Sequence, residues 1–111
     1  MSVSTHVLDA GLGTPAAGVS VILSARADGW LDVASGVTDA DGRYRFTVDA
    51  PPGTYCLVFG TGAYFAARGV ATFYPEVAIT FMIPEPAAGA AGHFHVPLLL
   101  SPFAYSTYRG S

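Results

Sequence analysis

A chain of 111 residues makes one domain, spanning 1–111, with a single core that buries roughly 60–70% of the unfolded surface. A formal charge of −3, with five basic residues that are all arginines, argues against nucleic acid or an anionic membrane as partner, because both reward clustered positive charge. Hydrophobic types make up 51% of the residues and charged types 12%, about half the charged share of an average soluble domain, so part of the apolar excess is expected to face another copy of the chain.

The lone cysteine, Cys56, excludes an internal disulfide and reads as a small buried hydrophobe in a reducing compartment. No basic segment precedes a long apolar run at the start, and no apolar run approaches the roughly 20 residues of a membrane span. The expected location is cytoplasmic.

In chain order, Thr5 to Leu8 is a short extended piece carrying His6, stopped by the small-residue segment Asp9 to Gly18. Val19 to Ala25 is rich in β-branched and aliphatic residues and ends at the turn signal Ala27-Asp28-Gly29, which predicts the first arm of a hairpin. Trp30 to Thr38 alternates through Leu31, Val33 and Val37. Asp39-Ala40-Asp41-Gly42 turns the chain into Arg43 to Val48, where Tyr44, Phe46 and Val48 share one face and Arg43, Arg45 and Thr47 the other.

Ala50-Pro51-Pro52-Gly53 breaks the pattern before a strand at Tyr55 to Phe59. Ala63 to Arg68 is the only stretch that reads as helix, with Gly69 placed to cap it. Val77, Ile79, Phe81 and Ile83 alternate along a full strand, and Ala78 and Met82 suggest that its second face is covered too. Pro84 to Gly92 reads as a mobile connection. His93 to Leu100 is the last long strand, with Pro97 best tolerated at an edge or a bulge. Roughly seven or eight short strands and almost no helix predict an antiparallel β-sandwich.

The chemistry concentrates at the end, in HFHVPLLLSPFAYSTYRGS. His93 and His95, two apart in a strand, project from one face, while Phe94, Val96 and Leu98 project from the other. Each of the three histidines could equally be a ring satisfied by a backbone carbonyl. Zinc would need a third ligand that the spacing does not supply. Asp39 to Gly42 lacks the later acidic ligands of a calcium loop and reads as a turn. The terminal stretch, with its rings and a guanidinium, is unlike a fraying tail and suggests packing against something.

The stretches Ser4-Thr5-His6-Val7-Leu8-Asp9, Thr38-Asp39-Ala40-Asp41-Gly42-Arg43, Thr61-Gly62-Ala63-Tyr64-Phe65, Phe73-Tyr74-Pro75-Glu76-Val77 and the terminal run closely resemble the 5-hydroxyisourate hydrolases, the enzyme family of the transthyretin fold. The tetrapeptide Tyr108-Arg109-Gly110-Ser111 is that family's signature and separates it from the hormone-carrying transthyretins. The resemblance implies an all-β, transthyretin-like sandwich with one short helix, assembled as a homotetramer with active sites at the interface between dimers. It implies His6, Arg43 and His95 as catalytic residues and Tyr108, Arg109, Gly110 and Ser111 as substrate-binding residues. It implies no cofactor and no metal. The implied reaction is hydrolysis of 5-hydroxyisourate to 2-oxo-4-hydroxy-4-carboxy-5-ureidoimidazoline in urate degradation. Phe94 departs from the tyrosine more common between the two histidines.

Two other classes compete. Gly13 to Val19, TDADGRYRF and PPGTY also resemble carboxypeptidase-regulatory-type β-sandwich modules, which are structural or carbohydrate-contacting. A transthyretin-like carrier using a central channel is the other. Both predict histidines and Arg43 scattered over the molecule.

Overall fold

The computed structural model describes residues 1–85 and 92–111, so most of the connection read over Pro84 to Gly92 lies outside the described residues. In order the elements are β1 (Ser2–Asp9), β2 (Thr14–Pro15), β3 (Ser20–Ala27), β4 (Gly29–Val37), β5 (Arg43–Phe46), β6 (Gly53–Phe59), α1 (Thr61–Ala67), β7 (Val77–Ile83), β8 (His93–Ser101) and β9 (Ala104–Thr107). They form two facing sheets. One runs β2-β1-β8-β9 with β5 also paired to β1, and the other runs β4-β3-β6-β7.

Period-two alternation decides what faces inward. Val3, Thr5, Val7 and Asp9 of β1 are buried between the sheets, while Ser2, Ser4, His6 and Leu8 sit on the outer face. Along β8, Phe94, Val96, Leu98 and Leu100 are buried, which leaves His93 and His95 on the same outer face as the β1 serines. Phe46, Leu23, Leu57 and Phe59 fill the middle of the core.

The β3–β4 hairpin turns where expected, with Gly29 at φ 96°. The chain then crosses from one sheet to the other through Asp39 to Gly42. There Gly42 N–H donates to the Asp39 carbonyl at 2.9 Å, and the Asp39 carboxylate accepts the N–H groups of Asp41 and Arg43, each at 2.9 Å. The acidic residue is therefore spent on closing the turn. Gly42 adopts φ 74° and its carbonyl receives Val7 N–H; a Cβ there would lie 2.3 Å from the Val7 carbonyl oxygen, so no side chain fits.

The helix begins two residues earlier than the sequence suggests and stops as expected. Gly69 N–H reaches the Ala66 carbonyl and Val70 N–H the Phe65 carbonyl, the paired closure of a glycine-capped helix, with Gly69 at φ 66°. The Tyr64 hydroxyl donates to the buried Asp9 carboxylate at 2.8 Å, tying the helix to the end of β1.

The expected antiparallel sandwich with a short helix is the fold observed, with one parallel pair inside it: β1 and β8 run side by side from Ser2 opposite His93 to Asp9 opposite Leu100. Other expectations need correction. Pro97 sits in an interior strand, between β1 and β9, and not at an edge. The ladder between β8 and the tail shares one register, Leu98 with Thr107 through His95 with Gly110, and lapses opposite Pro97. The missing N–H of Pro97 accounts for that gap, and Thr107 Oγ1 donates to the Pro97 carbonyl at 2.7 Å instead. The small-residue segment contributes the two-residue β2. The second face of β7 is open, with Met82 72% exposed, and β4 leaves Leu31 and Val37 largely exposed. Leu98 and Leu100 belong to the chain's own core, so of the three leucines only Leu99 is available to the outer face.

Candidate active site

β1 and β8 align without offset, placing Ser2 beside His93, Ser4 beside His95 and His6 beside Pro97. On the other side of β1, Arg45 pairs with Ser4 and Arg43 with His6. The outer face thus carries two cross-strand rows. One runs Arg45, Ser4, His95 and Gly110; the other runs Arg43, His6 and Pro97. A depression of about 350 Å³ opens on this face, lined by Ser4, Asp39, Arg43, Arg45, His93 and His95 among others, with His6 in the row beside it.

His6, Arg43 and His95, separated by up to 89 positions in sequence, are brought onto this one face. Arg43 is exposed at the mouth of β5, anchored through its backbone by Asp39. The His95 ring is half-buried. Its Nδ1 lies 2.8 Å from Ser4 Oγ, and among the described residues none hydrogen-bonds to Nε2. Burial pushes the His95 pKa below its ordinary value, and the charges of His6, His93 and Arg43 add to the effect. The ring is accordingly neutral at pH 7, the state a general base requires.

The four tail residues divide. Gly110 N–H donates to the His95 carbonyl at 2.9 Å, and its Cα packs against the His95 ring. Tyr108 and Ser111 are exposed. Arg109 turns the other way, its guanidinium 5.0 Å from the centre of the Phe94 ring, where it lines an apolar opening of about 260 Å³ beside β7. Phe94 itself is buried on the dry side. Arg109 shares that opening with Tyr108 and His95, but it does not line the depression that holds Arg43 and His93. The start of the tail is anchored by Phe73 N–H and Thr72 Oγ1, both donating to the Pro102 carbonyl.

Ser2 and Ser4 escaped the sequence reading as site residues, although Ser2-x-Ser4-x-His6 is an alternation that puts both hydroxyls on the face of His6. Asp39 was read only as a turn residue, yet it holds the backbone of Arg43. Among the described residues no three His, Cys, Asp or Glu side chains converge as a metal site.

A two-sheet sandwich with a histidine and arginine face closed by a C-terminal strand defines the transthyretin-like class of protein. The profile described as "HIUase/Transthyretin family" matches residues 3–110, and the chain belongs to that family. It is 45% identical over 112 residues to a 5-hydroxyisourate hydrolase of Salmonella dublin, covering 97% of this chain and 79% of that protein. The structure of the Klebsiella pneumoniae 5-hydroxyisourate hydrolase superposes with a TM-score of 0.87 at 42% identity, covering all of both chains. Transthyretin from Sparus aurata superposes with the same TM-score of 0.87 at 36% identity, covering 97% of this chain and 95% of that one. Backbone shape therefore does not separate hydrolase from carrier, and the side chains of the outer face must.

Proposed function

We infer that this protein hydrolyses 5-hydroxyisourate to 2-oxo-4-hydroxy-4-carboxy-5-ureidoimidazoline, a small-molecule step in urate degradation. The observation that carries the reading is the gathering of His6, Arg43 and His95 on one face beside Gly110. A structural module or a channel carrier gives no reason for that gathering.

Ring opening adds water to an acyl carbon and expels a ring nitrogen. His95, whose burial favours the neutral ring and whose Nδ1 is engaged by Ser4, takes a proton from the attacking water on Nε2. Arg43, charged at every working pH, anchors the substrate and stabilises the oxyanion through its forked donors. His6, on the neighbouring strand, is the group placed to hand a proton to the departing nitrogen. Gly110 keeps the His95 ring in place, and the tail of Tyr108, Arg109 and Ser111 closes the substrate side. The reading requires neither metal nor cofactor.

The site is completed by assembly as a homotetramer, with active sites between dimers. Three features support this: the outer face lies open in the single chain, every residue of β9 is exposed, and Phe103, Tyr105 and Tyr108 expose aromatic area. Apposition of a second face would remove water and strengthen each charge interaction. That apposition would also enclose in one site Arg109, which shares an opening with His95 but not with Arg43, and Arg43, which lines the depression on the other side of that ring. A cytoplasmic location belongs to the same reading, supported by the solitary buried thiol of Cys56.

The test is the ultraviolet decay of freshly generated 5-hydroxyisourate with wild-type protein and with His95→Ala. Wild type should accelerate the decay, and the variant should lose about 10²-fold or more of the turnover. Near-normal hydrolysis by His95→Ala would end the assignment.

A further inference from the structure

A second histidine stands behind His95 and is joined to it by a single hydroxyl. Ser4 Oγ lies 2.8 Å from His95 Nδ1 and 2.9 Å from His93 Nε2, and Ser2 Oγ lies 2.5 Å from His93 Nδ1. The geometry follows from the parallel register. Residues two apart on β8 are separated by about 6.6 Å, which one oxygen spans only when it sits opposite and between them.

Ser4 carries one proton. When it donates to one of these ring nitrogens it must accept from the other, so the two neutral rings are locked into matching tautomers. If His95 carries its proton on Nδ1, then Ser4 donates to His93 Nε2, and His93 Nδ1–H points to Ser2. If the chain of bonds reverses, His95 holds its proton on Nε2 and cannot act as a base. Only the first arrangement leaves His95 Nε2 with a free lone pair.

We propose that His95, Ser4, His93 and Ser2 form a proton relay in which His93, acting through Ser4, is the positioning residue that fixes the basic tautomer of His95 and receives the proton taken from water. The proposal rests on the hydrolase reading above. The step balances as follows. Water gives a proton to His95 Nε2 while its hydroxide oxygen bonds to the acyl carbon; His95 Nδ1–H passes to Ser4 Oγ; the Ser4 proton passes to His93 Nε2. His95 ends neutral, His93 ends as the imidazolium, and its Nδ1–H remains bonded to Ser2. His93 is exposed and returns the proton to solvent.

The surrounding charges explain why the proton should move on. His6 on β1 and Arg43 on β5 flank His95, so a positive charge kept on that ring would be a second or third cation in a half-buried site. Arg45 on β5 pairs with Ser4, Asp39 lines the same depression from the turn before Arg43, and the tail from Tyr108 to Ser111 runs along the far side of β8. Water around His93 solvates a charge that the His95 site does not.

The experiment combines kinetics with imidazole nitrogen-15 spectra. In the free wild-type protein above the titration range, both His93 and His95 should carry their proton on Nδ1, a result that needs no turnover. His93→Gln keeps a polar side chain on an exposed position but cannot hold the proton. It should lower kcat by about tenfold with KM nearly unchanged, and it should straighten a proton inventory that is curved in wild type. Ser4→Ala should do the same, Ser4→Thr should restore most of the rate, and the double variant should be no slower than Ser4→Ala alone. Opposite or Nε2–H tautomers in the resting protein would overturn the relay, as would wild-type kcat with an unchanged inventory in His93→Gln. A wild-type protein without hydrolase activity would instead refute the function, with the tautomer measurement still deciding the relay.

Discussion

The backbone of Gly110 lies flat against the imidazole of His95: a Cβ at position 110 would sit 2.4 Å from the ring's Cδ2 and 3.1 Å from its Cγ. Gly110 and the ring proposed as the base are thus in van der Waals contact, held by the hydrogen bond from Gly110 N–H to the His95 carbonyl. Gly110→Ala should rotate or displace the ring while leaving the sandwich intact. Misplacing a reacting group by about an ångström costs up to about 10²-fold, so kcat/KM should fall by about tenfold to 10²-fold at unchanged Tm. Unaltered kinetics in this variant would mean the ring has slack that the packing denies.

The pH profile follows from the His95 pKa, which lies below its ordinary value through burial first and then through His6, His93 and Arg43. The base works deprotonated, so kcat/KM should fall on the acid side with a midpoint below the histidine reference of about 6.5. Replacing Arg43 by Met removes one positive neighbour, which favours the protonated ring. The acid midpoint of the residual activity should therefore move upward. A midpoint at or above 6.5 in wild type would contradict a neutral, desolvated base.

Adding bulk after Ser111 tests the tail without deleting it. A short Gly-Ser extension there keeps every side chain in place. It should lower kcat/KM by at least about tenfold with folding preserved, equivalent to about 1.4 kcal/mol of transition-state stabilisation. Steady-state assays on the extended chain decide this, and equal rates would mean that nothing beyond Gly110 is packed closely at the site.

Asp9 and Tyr64 offer a stability prediction away from the site. Asp9 is 3% exposed, and its carboxylate accepts the Tyr64 hydroxyl at 2.8 Å and Leu12 N–H at 3.0 Å. Burial and that carboxylate push the tyrosine's pKa up to about 12. Tyr64→Phe leaves one carboxylate oxygen without its donor, which should cost about 1–3 kcal/mol in thermal or denaturant unfolding. Loss smaller than about 0.5 kcal/mol would indicate that water replaces the hydroxyl.

Light scattering should give about four times the chain mass. Each 100 Å² of apolar surface covered contributes roughly 2.5 kcal/mol before association costs, and the exposed rings of Phe103, Tyr105 and Tyr108 are the surface in question. An active monomer would contradict both the tetramer and a site that spans copies.

The sequence alone determined the local structure, because period-two alternation, turn glycines and a glycine helix cap act over a few residues. Those rules placed Phe94 inside and His93 and His95 outside, and they read the single helix and its stop at Gly69. Motif resemblance supplied the family and the three candidate catalytic positions. Only the tertiary structure decided which strands are neighbours. The parallel pairing of β1 with β8 joins residues about ninety positions apart, and no local propensity encodes that choice. From it follow the contact of Ser4 with two histidines, Pro97 in an interior strand opposite a gap in the tail's ladder, and Gly110 against His95. Arg109 shows the same limit from the other side: alternation along a tail is readable, but its turn toward Phe94 depends on where β8 lies. Register and sheet order are set by burial summed over the whole core, so side chains that share a site become neighbours only once that core has formed.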